Sequence, residues 1–152
     1  MVSFTITQLI PQRDPILMVD ELLCVDGEQA STCLTINTQN IFLSDDGTLE
    51  ESGIIEHIAQ SASAFAGYKA VMAGTTEPPV GYIGEVKKFR CYRRPKVCDC
   101  LRTFVTMGVE VNGVTLLSAQ TYVTKDKDKL VRINPDKSLL VAETNMKIFI
   151  KK

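Results

Sequence analysis

A chain of 152 residues, 45% hydrophobic and 23% charged, has the composition of an ordinary globular protein and the length to bury one proper core. Lys and Arg number 17 and Asp and Glu 18, for a formal charge of −1. That balance excludes binding to nucleic acid or to a membrane surface by bulk electrostatics, so a charge-based partner has to use a local patch. With no repeat, low-complexity tract or linker, a single domain over residues 1–152 is expected.

The stretch Met1 to Thr7 has no basic leader followed by an apolar run. No stretch approaches the roughly 20 apolar residues that span a bilayer. A cytoplasmic chain without a membrane span is therefore expected. The five cysteines, Cys24, Cys33, Cys91, Cys98 and Cys100, are an odd set without CxxC spacing. They read as reduced core thiols, with no disulfide framework, metal site or cofactor expected.

In chain order, Leu9 to Pro15 is a proline-bracketed loop, and Pro15 biases Asp14 toward an extended backbone. Ile16 to Val25 and Glu28 to Asn37 read as strands, with the hairpin signal Asp26-Gly27 between them. Gln39 to Glu50, with Ser44-Asp45-Asp46-Gly47, is a loop. A long helix is then predicted from about Ser52, which can cap the first turn, to about Ala73, ahead of Gly74 and Pro78-Pro79. Ile54, Ile55, Ile58, Ala59, Ala62, Phe65 and Val71 put apolar or small residues on nearly every helix face. A surface helix shows one apolar stripe, so this one belongs inside, and Glu56 in its first turns is the residue whose burial needs a reason.

Val80 to Arg94 and Asp99 to Glu110 read as strands joined through Pro95-Lys96-Val97. Asn112-Gly113 predicts that Val114 to Thr124 pairs back on the strand before it. Lys125 to Lys129 and Asn134-Pro135-Asp136 form a solvated turn, and Ser138 to Ile150 is the last strand. Two strands, a buried helix and three or four antiparallel strands make an α+β chain, in which a curved sheet wraps the helix.

Three ordered motifs carry a resemblance. Leu9-Ile10-Pro11-Gln12-Arg13-Asp14-Pro15-Ile16-Leu17-Met18-Val19-Asp20 is similar to the LPHRxPxLxVD segment of the 3-hydroxyacyl-acyl-carrier-protein dehydratases. Glu56-His57-Ile58-Ala59-Gln60, shortly after Gly53, resembles their ExxAQ helix motif, and Gly84 to Arg90 with Arg94-Pro95 resembles their next strand. Phe42 to Gly47 replaces the usual FxGHFP loop and looks like the aryl-polyene and flexirubin branch. The resemblance spans roughly residues 8 to 105.

It implies the hotdog fold and a dimer with acyl-thioester sites at its interface, where a histidine from the proline-rich loop of one subunit and the helix glutamate of the other flank the substrate. Removing water from a 3-hydroxyacyl thioester needs a base for the proton beside the carbonyl and an acid for the leaving hydroxyl. Glu56 matches the acid, while Gln12 stands where the family has its histidine. A carboxamide hydrogen-bonds but takes no proton near neutral pH, and losing a positioned base costs about a hundredfold to ten-thousandfold. By the same resemblance, Gly53 and Ile54 offer backbone N–H groups to an enolate-like oxygen, and Gln60, Gly84 and Phe89 join the substrate site.

Other residues have plainer readings beside these. Glu56 also suits a helix first turn by charge. His57 points about a hundred degrees away from Glu56 and reads as packed, and Asp14 beside Arg13 reads as solvated. Lys87, Lys88, Arg90, Arg93, Arg94 and Lys96 form a basic patch, either a solvated face or a docking site for an acidic acyl carrier protein or a phosphopantetheine phosphate.

The resulting expectation is an acyl-thioester-handling protein of the dehydratase type, serving fatty acid or polyene-type synthesis, on carrier-protein or coenzyme A thioesters. It is expected to form a homodimer, or a heterodimer with a histidine-bearing homologue that uses Glu56. The alternatives are a thioesterase in which Glu56 activates water and a non-catalytic carrier-binding subunit.

Overall fold

The computed structural model describes residues 2–75, 77, 79–124 and 139–151. The expected turn at 125–129 and 134–136 lies outside the described residues. A short helix α1 (Ile6–Leu9) precedes β1 (Glu21–Asp26) and β2 (Gln29–Thr35). The long helix α2 (Glu51–Met72) follows, then β3 (Val80–Cys91), β4 (Cys100–Val111), β5 (Val114–Thr124) and β6 (Leu140–Lys151). The strands make one antiparallel sheet in the order β1-β2-β4-β5-β6-β3, and α2 touches every one of them. This is the hotdog arrangement, a sheet curled round one helix.

Why α2 sits inside follows from its residues. Ile54, Ile58, Ala62, Ala64 and Phe65 are fully buried on more than one face, so no stripe is left for water. From the sheet, Leu34, Leu101, Val105, Leu117, Ala119 and Met146 close over it. The two hairpin signals behave as expected. Gly27 takes φ 60, Asn112 and Gly113 take φ 53 and 81, and β5 pairs back on β4 from Val111↔Val114 to Cys100↔Thr124.

Three expectations are corrected. Ser52 does not cap α2: Leu49 donates its N–H to Pro95 and Glu50 to Phe42, which holds the chain extended through Glu50, so the helix starts at Glu51 without a side-chain cap. Residues 16–20 are not in the β1 ladder, because Met18 is bonded to helix side chains instead. The connection through Pro95 carries the chain across the sheet, since β3 pairs with β6 while β4 lies between β2 and β5. The cysteines are free thiols, yet only Cys33 and Cys100 are buried, and Cys24 and Cys98 are exposed. Burial pushes the Cys33 thiol up to about 12, which keeps it an inert core group.

β3 is an edge. Only β6 pairs with it among the described strands, and Val80, Tyr82 and Ile83 are exposed along its first half. No helix among the described residues is long and apolar enough to cross a membrane.

Candidate active site

Residues 56, 59, 60 and 63 recur at helical spacing and therefore share one stripe of α2. This stripe lines a cleft of about 200 Å³. Glu56, Ala59, Gln60 and Ser63 form its helix wall, Gly81, Tyr82 and Ile83 its β3 wall, and Ile148 of β6 and Gln12 of the proline-rich loop complete it. Gln12 and Glu56 thus meet within one chain.

Gln60 sets the geometry of Glu56. Its Nε2 donates to Glu56 Oε1 at 2.8 Å and to the Ile16 carbonyl at 2.8 Å, and its Oε1 accepts the Met18 N–H at 2.6 Å. These partners fix which end of the carboxamide is nitrogen, because a backbone N–H can only be met by oxygen and a carbonyl only by N–H. One oxygen of Glu56 is therefore committed, and Oε2 has no partner among the described residues. Gln12 Oε1 is buried without a hydrogen-bond partner, an acceptor in want of a donor at the same cleft.

His57, the only histidine of the chain, lies on the other side of α2. It is fully buried, with Nδ1 at 2.6 Å from the Met18 carbonyl and Nε2 at 2.7 Å from Thr103 Oγ1. Burial holds its pKa down at about 4, against the weaker upward pull of the Met18 hydrogen bond. It does not line the cleft, as its place next to Glu56 on a helix leads one to expect.

The other expected site residues fall elsewhere. Gly53 and Ile54 both donate their N–H groups to the Glu50 carbonyl, at 2.9 and 3.2 Å, so those donors are spent within the helix rather than aimed at the cleft. Gly53 packs on the Phe42 and Leu49 side chains, which leaves no room for a Cβ. Gly84 lies under the Phe149 ring of the adjacent strand, and Phe89 is half-buried against the core; neither lines the Glu56 cleft.

The basic patch is also divided. Arg94 donates through Nε to the Leu49 carbonyl at 2.9 Å and through Nη2 to Ser44 Oγ, so it braces the 39–50 loop. Lys87 faces Glu85 at 3.6 Å, and Glu85 is shared with Lys147 at 3.2 Å. Lys88 and Arg90 are exposed, and Lys88 takes φ 53 where the β3–β6 register shifts. Asp14 is exposed, as expected of a solvated carboxylate.

Two features escaped the sequence. Gly81, Tyr82 and Ile83 of β3 form a wall of the cleft, and nothing in their residue pattern marks that. A second, larger groove of about 1110 Å³ adjoins the cleft along α2, lined by Ala66, Ala70, Val80, Met107 and Thr115 among others. Ser63 and Ala66 are about one helical turn apart, Val80 precedes Gly81, and Ile148 pairs with Thr115, so the two spaces lie end to end. The run of Ala and Ser on this stripe is the signal that was available.

Comparison with known proteins supplies a family. The family model described as ApeP-like, ApeP dehydratase, matches residues 4–132. No curated protein matches the sequence. Among solved structures, the dehydratase heterocomplex ApeI:P from Xenorhabdus doucetiae contains a chain similar to this one with a TM-score of 0.83 at 12% identity, over 99% of this chain and 93% of that one. A sigma28-regulated virulence protein of Campylobacter jejuni is similar with a TM-score of 0.65 at 13% identity, over 97% and 87%. A Streptococcus mutans protein bound to acetyl CoA follows with a TM-score of 0.58 at 10% identity, over 87% and 90%. At such identities the likeness speaks for the fold alone.

Proposed function

The chain belongs to the ApeP-like dehydratase family, and from that premise we propose that it removes water from 3-hydroxyacyl thioesters within a two-subunit site, with Glu56 as its acid. The observation that carries this reading is the Glu56 carboxylate, held through one oxygen by Gln60 and free at the other, on a cleft to which the described residues bring no imidazole. A histidine from a partner subunit takes the proton beside the thioester carbonyl, and the electron pair moves toward the carbonyl. The bond to the 3-hydroxyl then breaks, and Glu56 supplies or orients the proton with which that group leaves as water. Gln12, on the same cleft, offers the substrate hydroxyl a carboxamide to hydrogen-bond.

A partner is supported by the cleft's third wall. Gly81 to Ile83 belong to the unpaired edge of β3, so a second strand laid against that edge closes the cleft. The X. doucetiae neighbour is itself a chain of a dehydratase heterocomplex. The adjoining groove gives an acyl chain somewhere to go, and Lys87, Lys88 and Arg90 offer an acidic carrier protein a docking patch beside β3. The loop at 42–47 leads us to place the pathway among the polyene-type syntheses.

Intact-mass spectrometry of a 3-hydroxyacyl carrier-protein thioester tests the reading, with the chain alone and mixed with a histidine-bearing homologue. Loss of one water is expected in the mixture, falling about a hundredfold to ten-thousandfold with Glu56→Gln. Undiminished water loss with Glu56→Gln would sink it. Thioester hydrolysis is the second reading, favoured by the free Glu56 Oε2 in a cleft without an imidazole, and it shows as loss of the whole acyl group from the chain alone.

A further inference from the structure

We infer that His57 is a positioning residue for the Glu56 cleft, acting from the far side of the helix through Met18 and Gln60. Its hydrogen bonds determine one another. The Met18 carbonyl can only accept, so His57 Nδ1 carries the proton. The neutral ring then presents Nε2 as an acceptor, which Thr103 must meet with its O–H. Thr103 Oγ1 lies 2.7 Å from Thr121 Oγ1 and has spent its own proton, so Thr121 donates to it. A single proton order, from Thr121 to Thr103 to His57 to Met18, runs through the core from β5 to the segment before β1.

Met18 is where this order reaches the cleft. Its carbonyl is held by His57 and its N–H by Gln60, two side chains three residues apart on α2. The helix thus offers Met18 an acceptor and a donor, as a neighbouring strand would. Both carboxamide hydrogens of Gln60 are engaged, by Glu56 and Ile16, and its oxygen accepts from Met18. Freeing Met18 removes one of the three bonds that set the Gln60 plane, and Glu56 Oε1 is tied to that plane. Ser61 braces the same turn from below, donating to the His57 carbonyl at 2.7 Å and accepting from Thr32 at 2.7 Å. A packing histidine needs its nitrogens satisfied; this one satisfies Nδ1 on the residue that orients the acid's partner.

The kinetic arm of the test rests on the dehydratase reading, so it is paired with two that do not. Because the chain has one histidine, its ring nitrogens give a single pair of NMR signals. The Nδ1–H tautomer is expected at pH 7, and the Nε2–H tautomer or an imidazolium would overturn the inference. In His57→Leu the Gln60 side-chain amide is expected to exchange with solvent at least about tenfold faster than in the parent, while His57→Asn, which keeps a donor at the δ position, restores its protection. In the assembled enzyme His57→Leu is expected to lower kcat by roughly a hundredfold at nearly unchanged KM, with recovery in His57→Asn. A folded His57→Leu protein with parental Gln60 exchange overturns the inference. If His57→Leu does not fold, the parent's tautomer and Thr103→Val, expected to speed Gln60 exchange, decide it. If the parent turns over no thioester, the dehydratase reading falls while the NMR arms still judge the role of His57.

Discussion

The two sides of α2 at one level are a study in contrast. Glu56 and His57 are neighbours in sequence, yet Glu56 lies half-buried on a cleft with an oxygen to spare, while His57 is sealed in the core with both nitrogens bonded. The helix turns about a hundred degrees between them, enough to put one side chain on the cleft and the other in the core. Titratability alone does not mark a site. His57 has the side chain best suited to proton transfer near neutral pH, but the pocket that would give it work is on the other face.

Changes on the core side are expected to act on stability, and the largest comes from Phe65, which is fully buried. Phe65→Ala is expected to remove about 3–5 kcal/mol, read as a lower urea midpoint at unchanged slope. A loss below 1 kcal/mol would mean that the far half of α2 collapses to fill the space. Acid comes next. His57 titrates at about 4 in the folded chain and near 6.5 when unfolded, so between those values the unfolded state binds more protons. Its contribution is complete above pH 6.5, is lost as the pH falls toward 4, and is flat below, in all about 3 kcal/mol. Urea midpoints across that window should fall more steeply for the parent than for His57→Gln; parallel curves would contradict the sealed side of the comparison. The smallest effect belongs to the solvent end of the helix, where Lys69 pairs with Glu28 at 2.9 Å with both side chains well exposed. Lys69→Met is expected to change stability by about 0–1 kcal/mol, and a larger loss would point to its contact with the Phe65 ring.

Much of this frame is legible in the residues, because turns and buried helices have local causes. Asp26-Gly27 and Asn112-Gly113 mark hairpins since their backbones accept positive φ, and α2 is visible since no face of it suits water. The sheet order is not legible: β3 pairs with β6, from Val80↔Lys151 to Cys91↔Ala142, and no local rule encodes a pairing so distant in the chain. Nor is the start of β1, since Ile16 to Met18 look like a strand but take helix side chains as partners. Glu56 and Gln12 were marked by motif, yet their meeting within one chain depends on the path of the proline-rich loop. Gly53, Ile54 and Arg94 were assigned outward roles that the structure spends inward, on the first helical turn and on the 39–50 loop.

The division of β3 into two halves bears on how the chain survives its own synthesis. Its latter half carries Glu85, Lys87 and Lys88, charges of the kind that keep a free strand from recruiting copies of itself. Its first half, from Val80 to Ile83, carries none and leaves an aromatic and two branched side chains on show. The open edge and the apolar side chains coincide on that stretch, so it, rather than the whole strand, is where one copy of the chain can be recruited by another.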